Sequence, residues 1–152
     1  MITRRGKQQQ PDALPPTAGL KVLVVDDDTY VRLLCSLELP EVQVLEATTI
    51  DDAIDVAVAQ LPHIVLVDIH LHRADGLDLV RRLRAESRTS SVPIIVITAG
   101  HDEQQRSEVV RAGADGYLAK PLDADVLRSH IAELCAMDAE ERWARRTEQL
   151  SQ

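Results

Sequence analysis

Residues 22–28 read VLVVDDD, four aliphatic side chains followed at once by three carboxylates. An unbroken aliphatic run of this kind predicts a strand buried on both faces, as in a parallel sheet. The runs LKVLVV (20–25), VQVLEA (42–47), HIVLVD (63–68), PIIVIT (93–98) and GYLA (116–119) repeat the pattern along the chain. Segments of helical period lie between them. Ala53, Ile54, Ala57, Val58 and Leu61 recur with helical spacing behind Thr48 and Thr49, with Asp51 and Asp52 in the expected first turn. Leu127, Ile131 and Leu134 do the same behind Asp123. Five strands alternating with five helices predict an α/β fold, a doubly wound five-stranded parallel sheet with right-handed crossovers.

A chain of 152 residues has room for one domain with an ordinary core. Hydrophobic residues make up 45% of it and charged residues 28%, a globular balance, but aromatics are only 2% and there is no Phe. The core is therefore aliphatic, and Tyr30, Tyr117 and Trp143 stand as isolated aromatic positions. A net charge of -8 argues against direct nucleic-acid binding, which needs clustered Lys and Arg. No stretch approaches the ~20 apolar residues of a membrane span, and no signal-peptide core follows Arg4, Arg5 and Lys7, so a soluble cytoplasmic protein is expected. Cys35 and Cys135, each in a helical apolar pattern, read as core thiols in a reducing compartment.

The expected organisation is a disordered tail over residues 1–19, the domain over 20–137, and a polar extension or linker over 138–152. The extension reads as a continuation of the fifth helix, with Asp138–Arg142 and Glu141–Arg145 at favourable spacing. Ala139, Trp143, Arg146 and Leu150 form a weak heptad-like seam along it.

In open α/β sheets ligands lie outside the carboxyl ends of the strands. The first strand ends in Asp26, Asp27 and Asp28, the third in Asp68 and the fourth in Thr98, while Lys120-Pro121 follows the fifth. Carboxylates gathered from two strands repel one another and need a cation. Mg²⁺ suits them, being a hard ion held by one or two carboxylates together with phosphate oxygens. Lys120 and the Thr98 hydroxyl then remain to hold a phosphoryl group, and Asp68 is the candidate nucleophile. Asp28 and Thr29 read as caps of the first helix, and Asp75-Gly76 as the turn into the third. His70, His72 and His101 fall near the same rim, but no Cys or regular ligand spacing accompanies them to favour zinc.

Asp26-Asp27 after VLVV, Asp68 in IVLVDIHLHRADGLDLV, Thr98-Ala99 after PIIVI, and Lys120-Pro121 in AGADGYLAKPL together resemble the receiver domain of bacterial two-component response regulators. The likeness spans residues 20–137. It implies a flavodoxin-like sheet of strand order 2-1-3-4-5, and it implies that Asp68 accepts a phosphoryl group from a sensor histidine kinase or a histidine phosphotransferase. It further implies that Asp27, Asp68 and the backbone carbonyl of His70 coordinate Mg²⁺, with Mn²⁺ as an alternative, while Asp26 acts through water. Lys120 would contact the phosphoryl oxygen or Asp68, through a cis bond to Pro121. Thr98 and Tyr117 match the switch pair, which would alter the surface of the fourth helix, fifth strand and fifth helix. A downstream protein, an output domain or a second copy would be recognised there. Self-phosphorylation and autodephosphorylation would be the only chemistry, with no conventional enzyme activity.

The sequence departs from the family pattern at His72, which stands where Pro is usual and implies a looser loop. His70 and Gly100 occupy the positions that set the phosphoryl lifetime in this family. Two other readings stay open at this level. A haloacid-dehalogenase-like phosphatase would use Asp26 as nucleophile in its Asp26-x-Asp28 pair, leaving Asp68 without a role. A phosphorylation-independent interaction module would leave the acidic pocket inert.

Overall fold

The computed structural model describes residues 15–71, 73–100 and 102–151. The chain runs β1 (Lys21–Val25), α1 (Tyr30–Glu38), β2 (Gln43–Ala47), α2 (Ile50–Gln60), β3 (Ile64–Asp68), β4 (His70–Leu71), β5 (Ala74–Asp75), α3 (Gly76–Ala85), β6 (Ile94–Thr98), α4 (Glu103–Ala112), β7 (Gly116–Ala119), α5 (Ala124–Ala136) and α6 (Ala139–Leu150). Five strands form one parallel sheet in the order β2-β1-β3-β6-β7, the expected flavodoxin-like topology. The two-residue strands β4 and β5 form a small antiparallel hairpin of their own.

The aliphatic runs form strands because both faces of the sheet are covered. Alternate side chains point to opposite sides. Leu23, Val25, Val65, Val67, Ile94 and Val96 belong to the cluster shared with α2, α3 and α4. Val22, Val24, Ile64, Leu66, Ile95 and Ile97 belong to the one shared with α1 and α5. Each fully buried Val, Leu or Ile contributes on the order of 1.5–3 kcal/mol relative to exposure, so the central strands dominate the apolar contribution.

Helix ends follow the chain's capping chemistry. Thr49 accepts the Asp52 N–H, Asp75 that of Leu77, Asp102 that of Gln104, and Asp123 those of Asp125 and Val126. Leu61 departs from its expected place in the apolar stripe of α2. It is the left-handed C-cap, at φ 49°, and its side chain is exposed.

Both ends of the chain depart from expectation more strongly. Residues 1–14, the greater part of the expected tail, lie outside the described residues. The rest of that tail, residues 15–19, includes a turn over 16–19 whose Thr17 is fully buried and donates its hydroxyl to Glu41 Oε2 at 2.6 Å. Glu41 also accepts from Arg128 Nε of α5 at 2.8 Å, which ties this turn to the domain.

At the other end, residues 138–151 do not continue the fifth helix, and Gln152 lies outside the described residues. α5 stops at Ala136, Met137 is extended, and Asp138 with Glu141 forms a capping box that starts α6 afresh. Among the described residues there are thus six helices where five were expected. The anticipated pairs Asp138–Arg142 and Glu141–Arg145 are replaced by tertiary contacts. Arg142 is nearly buried and donates to the carbonyls of Leu134, Met137 and Ser91. Arg145 instead lies 3.3 Å from Glu133. α6 folds back against α4. Among the described residues no helix is long and apolar enough to cross a membrane.

Candidate functional site

Register brings the strand ends to one level. Val25 pairs with Val67, so Asp26 and Asp68 follow side by side. Asp68 pairs with Ile97, and Thr98 with Ala119, so Lys120 comes next on the same rim.

Asp68 is 6% exposed and its two oxygens are both engaged. Oδ1 accepts the His70 N–H at 2.9 Å, and Oδ2 accepts from Lys120 Nζ at 2.9 Å. Asp26 is 1% exposed. Its Oδ1 accepts the Asp28 N–H at 3.1 Å, whereas its Oδ2 is buried without a hydrogen-bond partner. Carboxylate oxygens of Asp26, Asp28 and Asp68 lie within 4.8 Å of one another. Burial first, then the charges of Asp68 and Asp28, push the Asp26 carboxyl up to about 6, against the opposing Asp28 N–H and the Lys120 charge. Burial would lower the Lys120 ammonium, but its hydrogen bond to Asp68 and the surrounding carboxylates raise it on balance.

Thr29, at the N-cap of α1, makes no side-chain capping bond; Asp28 just before it accepts the Tyr30 N–H at 2.8 Å and also joins the acidic trio. Asp27, to which the resemblance assigns direct metal contact, is exposed and outside that trio. The residues fit a hard divalent cation. Three carboxylates face a single ammonium, and an unpartnered buried oxygen is the kind of donor that a metal satisfies. His72 and His101, which entered the zinc alternative, lie outside the described residues.

Glycine fixes how closely β3 approaches α3. A Cβ on Gly76 would clash with the Asp68 carbonyl oxygen and meet Ile69 Cα at 2.9 Å. The Gly76 N–H donates to the Ile69 carbonyl at 2.8 Å. The segment carrying Asp68 is thus clamped against the helix that follows it.

The Lys120–Pro121 bond is cis. Lys120 Nζ lies 5.5 Å from the centroid of the Tyr30 ring, and the Tyr30 hydroxyl accepts the Leu122 N–H at 2.7 Å. Tyr30 thus braces the loop that presents the lysine. This role of Tyr30 carries no signal in the sequence, since nothing there marks the first residue of α1 as a partner of Leu122, 92 positions away.

Thr98 is buried on the rim, but its hydroxyl donates to Gln105 Oε1 at 2.8 Å rather than to Asp68. The Tyr117 hydroxyl donates to the same Gln105 oxygen at 2.9 Å. One amide oxygen on α4 thereby links Thr98 with Tyr117. The sequence carried no signal for Gln105, because the spacing from Thr98 acquires meaning only once α4 is in place.

An open parallel sheet with carboxylates, an ammonium and a hydroxyl on its carboxyl rim defines the class as flavodoxin-like α/β. The chain belongs to the response regulator receiver domain family, whose model matches residues 22–132. It is 34% identical over 121 residues to the phosphate regulon transcriptional regulatory protein PhoB of Pseudomonas aeruginosa, a match covering 78% of this chain and 52% of that protein. It is 32% identical over 118 residues to Protein PilH of the same organism, covering 76% of this chain and 98% of PilH. The chain spans about half the length of PhoB, and nearly all of PilH. Among solved structures it resembles the receiver domain of a sensor histidine kinase from Pseudomonas aeruginosa, with a TM-score of 0.71 and 27% identity over 79% of this chain and 100% of that one. That structure carries a magnesium ion coordinated in its active-site cleft. Family membership sets aside the haloacid-dehalogenase-like alternative.

Proposed function

We propose that the protein is a phosphorylation-controlled signalling module of a two-component system, in which Asp68 accepts a phosphoryl group from a sensor histidine kinase or histidine phosphotransferase. A carboxylate oxygen of Asp68 attacks phosphorus, the phosphorus–nitrogen bond of the donor phosphohistidine breaks, and the donor imidazole regains its nitrogen lone pair. Asp26, Asp28 and Asp68, together with the His70 backbone carbonyl and the neighbouring Asp27, would hold Mg²⁺ or, in its place, Mn²⁺. The bound ion supplies positive charge where oxygens of the transferring group accumulate negative charge. Lys120 shifts from Asp68 Oδ2 to a phosphoryl oxygen and shares that task. The Thr98 hydroxyl turns from Gln105 toward the new group, and Tyr117 follows. The changed surface is that of α4, β7 and α5.

Downstream, the reading assigns a partner protein, an output domain or a second copy of the chain on that surface, in the cytoplasm and without direct nucleic-acid contact. The net charge of -8 and the free thiols of Cys35 and Cys135 support those assignments. Loss of the phosphoryl group to water ends the signal, and no conventional enzyme turnover is involved.

The observation that carries this reading is the pairing of Asp68 with Lys120 beside two further carboxylates, one of them holding a buried oxygen without a partner. The test is intact mass and peptide mapping after incubation with acetyl phosphate and Mg²⁺, for wild type, Asp68→Asn and Asp26→Asn. One phosphoryl group on Asp68, absent from Asp68→Asn, is the expected result. Label on Asp26, or none from acetyl phosphate or a phosphorylated kinase, would overturn it.

A further inference from the structure

The helix α6 lies over α4, β7 and α5, and its attachment has an unusual composition. It places no residue in either apolar cluster. Its one buried residue is Arg142, while Trp143 and Leu150 stand exposed. Polar anchors at one end hold it. Arg142 reaches three backbone carbonyls, and Arg146 pairs with Asp115, a buried carboxylate that also receives Arg84 Nη2 at 2.9 Å and the Ile94 N–H at 3.0 Å.

A cavity of about 70 Å³ remains between α6 and the face below, lined by Arg106 and Val110 of α4, Tyr117 of β7, His130 of α5, and Arg145 and Gln149 of α6. Tyr117 forms part of the floor of that cavity and shares Gln105 with Thr98 on the acceptor rim. A continuous set of contacts therefore runs from the rim, through Thr98, Gln105 and Tyr117, to the underside of α6.

We propose that α6 is an intramolecular cap on the α4–β7–α5 face, and that its docking and the phosphorylation of Asp68 oppose each other. A helix that contributes no side chain to either apolar cluster is suited to reversible release, because undocking it exposes little apolar surface of its own, and Asp115 keeps its bonds to Arg84 and the Ile94 N–H when Arg146 leaves. Turning the Thr98 hydroxyl toward Asp68 takes one donor from Gln105, alters the hold on Tyr117, and so changes the cavity floor that α6 rests on. Linkage makes the effect reciprocal: loosening α6 favours the state in which Asp68 carries its ligand.

The inference rests on Asp68 being the phosphoacceptor, and the experiment separates the two. Full-length protein is phosphorylated with acetyl phosphate and Mg²⁺, its stoichiometry and site are read by mass, and backbone amide exchange is followed in the same sample. Amides of α6 are expected to exchange about 5- to 20-fold faster after phosphorylation, with those of α3 unchanged. Beryllofluoride, which binds carboxylates as a phosphoryl mimic, is then titrated into wild type, Arg146→Ala and Arg145→Ala in the presence of Mg²⁺. Both variants are expected to bind it several-fold more tightly. Arg145 lies outside the Asp115 network, so Arg145→Ala keeps this arm decisive if Arg146→Ala fails to fold. Full phosphorylation with unchanged α6 exchange, or wild-type affinity in the folded variants, would overturn the cap. Absence of any label on Asp68 would overturn the acceptor assignment, and the coupling with it.

Discussion

Lys120 Nζ and Asp68 Oδ2 lie 2.9 Å apart, and among the described residues the lysine is the sole ammonium set among the oxygens of Asp26, Asp28 and Asp68. It therefore competes with a metal ion for the same negative field while, under the proposed function, it also assists phosphoryl transfer. These roles separate in Lys120→Met. Phosphorylation by acetyl phosphate should slow by about 10²–10³-fold, the cost of losing one preorganised charge at a transferring group. Mg²⁺ affinity, measured by calorimetry, should rise. A parallel fall in both would show that the lysine only holds the site together.

The acidic trio predicts a conflict between stability and metal binding. Asp26→Asn removes a carboxylate whose ionisation in the fold is opposed by burial and by its neighbours. Metal-free protein should become more stable by about 1–3 kcal/mol in denaturant titrations, while Mg²⁺ affinity falls at least tenfold. Asp27→Asn and Asp28→Asn, compared side by side, identify the third carboxylate. The grouping of Asp28 with Asp26 and Asp68 predicts the larger loss in Asp28→Asn.

Gly76→Ala tests the clamp behind the acceptor. The added methyl has no space between the Asp68 carbonyl and Ile69, both backbone. Destabilisation of about 1–3 kcal/mol is expected from overpacking, with slower phosphorylation of Asp68 because its segment must move. Chemical denaturation and mass-resolved phosphorylation rates measure the two. Normal stability with normal rates would show that α3 yields instead.

The five sheet strands were legible because their burial on both faces leaves runs of Val, Ile and Leu that no amphipathic helix would carry. The rim followed from them, since Asp26, Asp68, Thr98 and Lys120 each stand at the end of a run and parallel register brings such ends together. Contacts made by polar side chains across long stretches of sequence were not legible. Arg142 read as a helical partner of Asp138 and Arg146 as part of a weak seam, because their actual partners, the Ser91 carbonyl and Asp115, are defined only by the finished fold. Asp28 read as a cap; it does accept the Tyr30 N–H, from the position before the Thr29 N-cap, but the same carboxylate also joins the acidic trio, and sequence cannot reveal that double use.

Glu41 links pH to stability far from the rim. Its hydrogen bond with Arg128, aided by the Thr17 hydroxyl and working against partial burial, holds its carboxyl down at about 2, from an ordinary 4.5. A carboxyl depressed in the folded state contributes stability that is fully present above the unfolded value and is lost as pH falls from about 4.5 toward 2. Glu41→Gln should cost about 1–3 kcal/mol at neutral pH and flatten the loss of stability across that acid range. Thermal unfolding from pH 7 downward measures both, and an unchanged acid slope would show that other carboxylates govern it.

The three aromatic residues of the chain, Tyr30, Tyr117 and Trp143, have a spectroscopic consequence. One faces the lysine of the rim, one shares Gln105 with Thr98, and the only indole rides on α6. Both cores are centred on aliphatic side chains that absorb no near-ultraviolet light. Intrinsic fluorescence and near-ultraviolet dichroism of this protein therefore report on the rim, on the borders of the two clusters where Tyr30 and Tyr117 pack, and on α6, against an aliphatic interior that is dark.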